Sequence, residues 1–330
     1  MKAAQKNIQI QKWVAALSVI LLLIKIIAYY LTHSVAILTD ALEGTVNIVA
    51  GFVGLYSLIL SAKPRDDDHP YGHGKIEFVS ALLEGSLIFT AAFIIIYQAV
   101  NNLIVPSAIQ KLDLGTVLIA FTAVINFVLG NICIRIGKKN KSVALEASGK
   151  HLQSDTYTTV GIIVGLMIVY FTEIVWIDSI VAIVFALVIM RTGYQILRRS
   201  LAGILDESDN TLLIHLVDVL NQNRRDNWMD IHNLRIIKYG NVLHIDCHLT
   251  LPWYLNMHEA HLEIDELTKL VRSNFGNAIE FFIHTDGCLE FSCRICSKQD
   301  CPVRQHLQER RVEWTVDNLY LNTKHTVKTP

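Results

Sequence analysis

The stretch SGKHLQSDTYTTVGIIVGLMIVYF, residues 148–171, decides how this chain is read. Crossing about 30 Å of hydrocarbon takes roughly 20 mostly apolar helical residues, and this segment is long and apolar enough to do so. Yet its first half carries His151 and Asp155. An ionisable side chain inside a spanning helix costs about 2.5–3.5 kcal/mol on insertion scales, so it is a functional candidate with a partner nearby. The two residues are four apart and share a helix face.

Outward from this stretch the pattern repeats. Apolar runs at Trp13 to Thr32, Val35 to Leu60, Phe78 to Ile104, Leu114 to Ile136 and Val175 to Leu197 bring the predicted spans to six. Lipid offers no partner for an open backbone amide, so each is read as a helix. Lys2, Lys6 and Lys12 precede the first; Lys63, Arg65 and Lys75 join the second to the third. Lys138, Lys139 and Lys141 join the fourth to the fifth, and Arg198 and Arg199 follow the sixth. Lys111 alone marks the other side, so both termini are expected in the cytoplasm. The first run is too long for a signal peptide and lacks a small-residue cleavage site after it, so it reads as a retained helix.

Composition divides the chain near residue 205. The first 204 residues hold 12 of the 30 acidic residues, whereas nine of the 13 histidines and five of the six cysteines come later. The expected organisation is an all-α six-helix transmembrane domain (1–204), a cytoplasmic α+β domain (205–287) and a cysteine-rich extension and tail (288–330). With 29 basic against 30 acidic residues and 52% hydrophobic residues, the chain is neither disordered nor a small disulfide scaffold. The charge balance also argues against nucleic acid as a partner.

In the second predicted helix Asp40, Glu43 and Asn47 follow one another at steps of three and four, again on one face. With His151 and Asp155 they offer imidazole, carboxylate and amide donors, a set suited to a divalent transition ion such as zinc. The competing reading is interhelical hydrogen bonding, worth about 1 kcal/mol per residue; two such pairs on separate helices favour the metal. Lys25 is accounted for by snorkelling or an internal ion pair. The loop KPRDDDHPYGHGKIE, residues 63–77, crowds Asp66, Asp67, Asp68, His69 and His73 together, with Pro70, Gly72 and Gly74 keeping it out of helix. It could hold a second ion, present ligands to incoming metal, or stand as a solvated acidic loop.

Past Glu207 helix and strand signals alternate: a helix over Thr211 to Gln222, strands over Asn233 to Ile237 and Leu243 to Leu251, a helix over Asn256 to Phe275 and a strand over Ile279 to His284. That order suits an antiparallel sheet with helices on one face. His244, Asp246 and His248 alternate along the second strand, and His261, His284 and Asp286 are candidates to converge on them. Cys288, Cys293, Cys296 and Cys301 then fall within fourteen residues. On the reducing side of a membrane these thiols read as metal ligands; a structural zinc site leads, beside a redox relay, an iron–sulfur site or metal delivery. Beyond about Glu313 core residues become scarce and a loose terminus is expected.

Taken together, ILTDALEGTVN, DDDHPYGHGKIE, SGKHLQSDTYTT, DIHNLRI, IDCHLTL, HEAHLEID and FFIHTDG resemble the cation diffusion facilitator family over roughly Trp13 to Asp286. That resemblance implies export of divalent metal from the cytosol in exchange for protons, with no enzymatic step. It implies an intramembrane site at Glu43, Asn47, His151 and Asp155 and a loop site at Asp66, His69 and His73. It also implies a metallochaperone-like (ferredoxin-like) cytoplasmic domain that dimerises, with ligands at His232, His248, His261, His284 and Asp286. Zinc-moving relatives carry a carboxylate where Asn47 stands. Zn2+ leads, with ferrous iron, cobalt or cadmium as other cargoes, and a bacterial inner membrane is the expected bilayer. A membrane-embedded metalloenzyme and a metal sensor are the rivals; no HExxH set supports the enzyme.

Overall fold

The computed structural model describes residues 2–32, 35–104, 114–172, 176–240 and 242–329, and it divides into two compact units, Met1–Leu205 and Asp206–Pro330. The side chains of Asp40 and Glu43 lie outside the described residues.

Six helices make the first unit: α1 (Lys2–Thr32), α2 (Val35–Ser61), α3 (Ile76–Ile104), α4 (Leu114–Asn140), α5 (Val143–Thr172) and α6 (Trp176–Ile204). They overrun the apolar spans. α1 starts at Lys2 rather than Trp13, because the lysines, glutamines and alanines ahead of the apolar run are good helix formers. Among the described residues, Ala4–Ile27, Ile76–Asn101 and Val117–Asn140 are each long and apolar enough to cross a membrane.

The distribution of side chains is inverted relative to a water-soluble bundle. Trp13, Phe52, Tyr97, Phe121 and Val188 stand exposed, whereas Gln11, Lys25, Glu84, Asn126, Thr159 and Ser200 are buried. Lipid is the solvent that rewards this arrangement. Between α4 and α5 the backbones touch through Gly130 and Gly149. A Cβ on either would come within 2.8 Å of the other's carbonyl oxygen, so only glycine permits the approach. α2 contacts α1, α3 and α5, which brings Asn47 to the helix that carries His151.

The second unit runs α7 (Asn210–Gln222), β1 (Asp230–Tyr239), β2 (Val242–Leu251), α8 (Met257–Phe275), β3 (Ile279–Gly287), a 3-10 turn (Glu290–Arg294) and α9 (Val316–Leu319). Asp209 caps α7 by accepting from the Thr211 and Leu212 amides, and Asn256 with Glu259 forms a reciprocal cap on α8. The sheet is ordered β1-β2-β3, with β1 antiparallel to β2 but β3 parallel to it. This corrects the antiparallel expectation. The connection from β2 to β3 is a full helix rather than a tight turn, which lets β3 return in the same direction as β2. A bulge between His232 and Arg235, with Asn233 at φ 52°, bends β1.

The loose tail is also corrected. Val312, Trp314 and Leu319 are buried, and Trp314 and Leu319 belong to the same core as Leu216, Ile231, Ile245 and Leu267. The Arg224 guanidinium lies 4.0 Å over the Trp314 ring and donates to the Val312 carbonyl at 2.7 Å. Asn221 donates to the Trp314 carbonyl at 2.6 Å, and the bulge amide of Asn233 donates to the Leu321 carbonyl at 2.8 Å. Sparse apolar anchors sufficed because each is large and well placed. Replacing Trp314 with Ala is expected to destabilise the second unit by about 3–5 kcal/mol. Thermal unfolding of the full chain reads this; a melting curve superimposable on wild type contradicts the docked tail.

Candidate metal centres

Three clusters of donors arise. The first lies between α2 and α5. Asn47 stands between the two α5 residues: its Nδ2 donates to Asp155 Oδ2, and its Oδ1 lies 2.6 Å from His151 Nε2. With the amide nitrogen committed to the carboxylate, its oxygen takes the proton of His151 Nε2. His151 and Asn47 are both buried, and His151 Nδ1 is enclosed without a hydrogen-bond partner among the described residues. Glu43 and Asp40 stand four and seven positions ahead of Asn47 in α2, and their side chains lie outside the described residues.

The second cluster is the loop. His69 Nδ1 lies 2.9 Å from Asp66 Oδ1, His73 Nε2 lies 3.3 Å from Asp66 Oδ2, and the two rings are 4.3 Å apart. Gly72, at φ 89°, makes the turn that returns His73 to Asp66. The His69 hydrogen bond holds the Asp66 carboxyl below its ordinary range. One donor atom from each of Asp66, His69 and His73 falls within 4.8 Å of the others. Asp67 and Asp68 take no part in that group.

The third cluster follows from strand register. His232 of β1 faces His248 of β2, and His248 faces His284 of β3. Asp286 sits two residues beyond His284 on the same strand and reaches back: its Oδ2 is 3.2 Å from His248 Nδ1 and 3.5 Å from His232 Nε2. His232, His248 and Asp286 form the tight set. His284 stands at its margin, 4.0 Å from Asp286 Oδ1, with its ring 4.6 Å from that of His248. His261 is not brought in. It is exposed on α8 and pairs with Asp265, one turn along its own helix. His244 likewise lies apart, beside Glu280 and the Tyr239 ring.

Two groups missed by sequence reasoning border this cluster. Asp230 contacts His232 Nδ1 at 3.2 Å and His325 Nδ1 at 2.6 Å. An imidazole with a carboxylate beside its second nitrogen is an arrangement common to metal-ligating histidines. Burial alone would raise the Asp230 pKa, but its hydrogen bonds with His232 and His325 outweigh that and hold it near 2. Asp230 shares a strand face with His232, two residues on, which is a signal the sequence offered. Lys324, whose Nζ lies 3.6 Å from Asp286 Oδ1 and donates to the Gly287 carbonyl at 2.9 Å, offered none.

The four tail cysteines are all free thiols. Burial raises the thiol pKa of Cys288 and Cys296, partly offset by backbone hydrogen bonds and, at Cys296, by Arg304, with the neighbouring thiols raising it further. Their sulfurs are not gathered as tightly as the two three-residue groups above. Arg304 ties the segment down by donating to the carbonyls of Cys293 and Cys296, each at 3.2 Å.

Comparison with known proteins adds a separate line. Residues 12–205 match the cation efflux transmembrane domain, and residues 215–288 match the cytoplasmic domain of cation efflux proteins. An uncharacterized transporter of Synechocystis is 32% identical over 238 residues, covering 72% of this chain and 77% of that protein. The cation-efflux pump FieF of Shewanella oneidensis is 26% identical over 272 residues, 82% of this chain and 90% of its own. The manganese efflux system protein MneS of Bacillus subtilis is 29% identical over 265 residues, 78% and 87% of the two chains. This is a family of membrane transporters, not of enzymes, which removes the metalloenzyme rival. With six helices, an α+β domain behind them and matches over both, the chain belongs to the cation diffusion facilitator family of divalent cation efflux proteins.

Proposed function

We propose that this protein exports a divalent transition-metal ion from the cytosol in exchange for protons, binding it in the membrane through Glu43, Asn47, His151 and Asp155. The observation that carries the reading is the contact of Asn47 with both His151 and Asp155, which joins donors of two helices at one point. An ion arriving there replaces hydrogen bonds already drawn together, so little side-chain freedom is lost on binding. Ionised Glu43 and Asp155 with a neutral His151 supply two negative charges against the two positive charges of the ion. That balance makes the loaded site tolerable in a low dielectric.

Protons drive release because the same groups must be deprotonated to ligate. When the site opens outward, protons on the imidazole and carboxylates eject the ion, and the protonated site returns inward. One site visited alternately from two sides couples the fluxes. The lysine and arginine distribution supports a cytoplasmic location for both termini and the second unit, and the membrane in this reading is a bacterial inner membrane. Zinc heads the cargo list on the strength of His151, with ferrous iron, cobalt and cadmium behind it, and a relative named for manganese efflux adds manganese.

The cytoplasmic domain completes a homodimer in this reading, and ions at His232, His248 and Asp286, with His284 beside them, bias it toward the transporting state. The loop set of Asp66, His69 and His73 binds a further ion. The four tail thiols hold a structural zinc; their mutual influence and the Arg304 tether fit that role. Lys324 sets a positive charge beside the Asp286 carboxylate, for which it competes with a metal in this reading.

Purified protein in liposomes is expected to move zinc, iron or manganese against an opposed proton gradient, and His151→Ala or Asp155→Ala to lower flux by more than about tenfold each. Metal binding without flux in the wild type would indicate a sensor. Lys324→Met is expected to tighten zinc binding at the cytoplasmic centre by about two- to fivefold, read by calorimetry; weaker binding would contradict the competition. Replacing Cys293 and Cys296 with Ser is expected to remove about one zinc per chain retained after dialysis. Unchanged zinc content, or iron and sulfide in the wild type, would refute the thiolate zinc site.

A further inference from the structure

One helical turn before His151 on α5, Ser148 belongs to a second polar cluster that the three centres leave unused. Four helices build it: Gln11 from α1, Gly51 and Gly54 from α2, Glu84 from α3 and Ser148 from α5. Gln11 Nε2 donates to the Gly51 carbonyl at 3.2 Å and to Ser148 Oγ at 3.0 Å. Ser148 Oγ donates onward to Glu84 Oε1 at 2.7 Å. Gln11 and Glu84 are fully buried.

Gln11 Nε2 spends its donors on the Gly51 carbonyl and Ser148 Oγ, Ser148 spends its own on Glu84, and acceptors are left over. Glu84 Oε2 and Gln11 Oε1 are both enclosed without a hydrogen-bond partner among the described residues. A simple interhelical lock would match its acceptors with donors; this cluster has spent its donors and kept oxygen lone pairs. A cation supplies what is missing. The bare α2 backbone is what lets these three side chains meet, since a Cβ on Gly54 would fall 2.8 Å from Gln11 Nε2 and 3.0 Å from both Glu84 Oε1 and Ser148 Oγ. One cavity is lined jointly by Glu84, Ser148, Asn47 and His151, so the cluster and the α2–α5 site share a space.

We propose that Glu84 Oε2, Gln11 Oε1 and Ser148 Oγ form an all-oxygen cation position next to the α2–α5 site, through which the transported ion passes on its way from the cytosol. The inference rests on the transport reading given above. The position lies toward the start of α5 and the end of α2, the ends that reading assigns to the cytosol. Oxygen donors alone hold a divalent transition ion more weakly than a set containing imidazole, which suits a place the ion must leave. A single carboxylate leaves the ion's charge half compensated, so the ion moves on toward Asp155 and His151 rather than resting.

The test measures Zn2+ and Mn2+ uptake by proteoliposomes carrying the full chain, as a function of metal concentration. Glu84→Gln keeps the shape and the oxygen that accepts from Ser148, so a structural lock survives it while the charge is gone. The expected result is a KM for metal raised at least tenfold in Glu84→Gln, with Glu84→Asp recovering most of the loss. A wild-type KM in Glu84→Gln overturns the proposal and leaves the transport reading intact; a wild-type protein that moves no ion overturns both. Should Glu84→Gln not yield folded protein, Gln11→Met removes one oxygen donor without touching the carboxylate, and is expected to raise KM about threefold. An unchanged KM in that variant overturns the proposal as well.

Discussion

A charged or strongly polar side chain buried in a lipid-facing bundle must be matched by another group, and in this protein the match is made by Asn47. Its amide presents a donor to Asp155 and an acceptor to His151, so two α5 side chains that would each be expensive alone are held against α2. The amide is neutral. It holds the pair together without adding a second carboxylate charge, and its oxygen is the face that can exchange a hydrogen bond for a metal bond. The departure from the carboxylate expected at this position thus gives the α2–α5 cluster internal hydrogen bonds that two facing carboxylates could not make without a shared proton.

The cytoplasmic unit solves a related problem by different means. Strand register lines up His232, His248 and His284, and Asp286 closes the set. Lys324 and the Asp230–His325 pair set charges beside this carboxylate and these rings. Both groups come from, or are held by, the last stretch of chain, which Trp314 anchors in the core. The tail is therefore a structural part of this candidate metal centre, outside the matched family domain that ends at residue 288.

Much of this was legible in the sequence, and what escaped has physical reasons. Helical spacing puts His151 and Asp155 on one face, and apolar length identifies spanning helices. The loop cluster could be read because its ligands lie within eight residues of one another. Spacing along α8 could not say whether His261 looks toward the sheet or toward solvent, and it looks toward solvent. The direction of β3 was misjudged because the helical pattern before it was read as a layer and not as a crossover. Lys324, His325 and Trp314 escaped because their partners are far away in sequence. Glu84 was visible: it is an acid inside an apolar span, the same anomaly that drew attention to His151, but it has no second ionisable residue one turn away to mark it.

The central claim is that Asn47, His151 and Asp155 grip one ion between α2 and α5. A cryo-EM map of the zinc-loaded full-length protein in a lipid nanodisc tests it most directly. The account requires ion density about 2.0–2.2 Å from an imidazole nitrogen of His151 and a carboxylate oxygen of Asp155, with the Asn47–Asp155 hydrogen bond broken. A map that fills the cytoplasmic centres while Asn47 still bridges the two α5 side chains, with no ion among them, would contradict it.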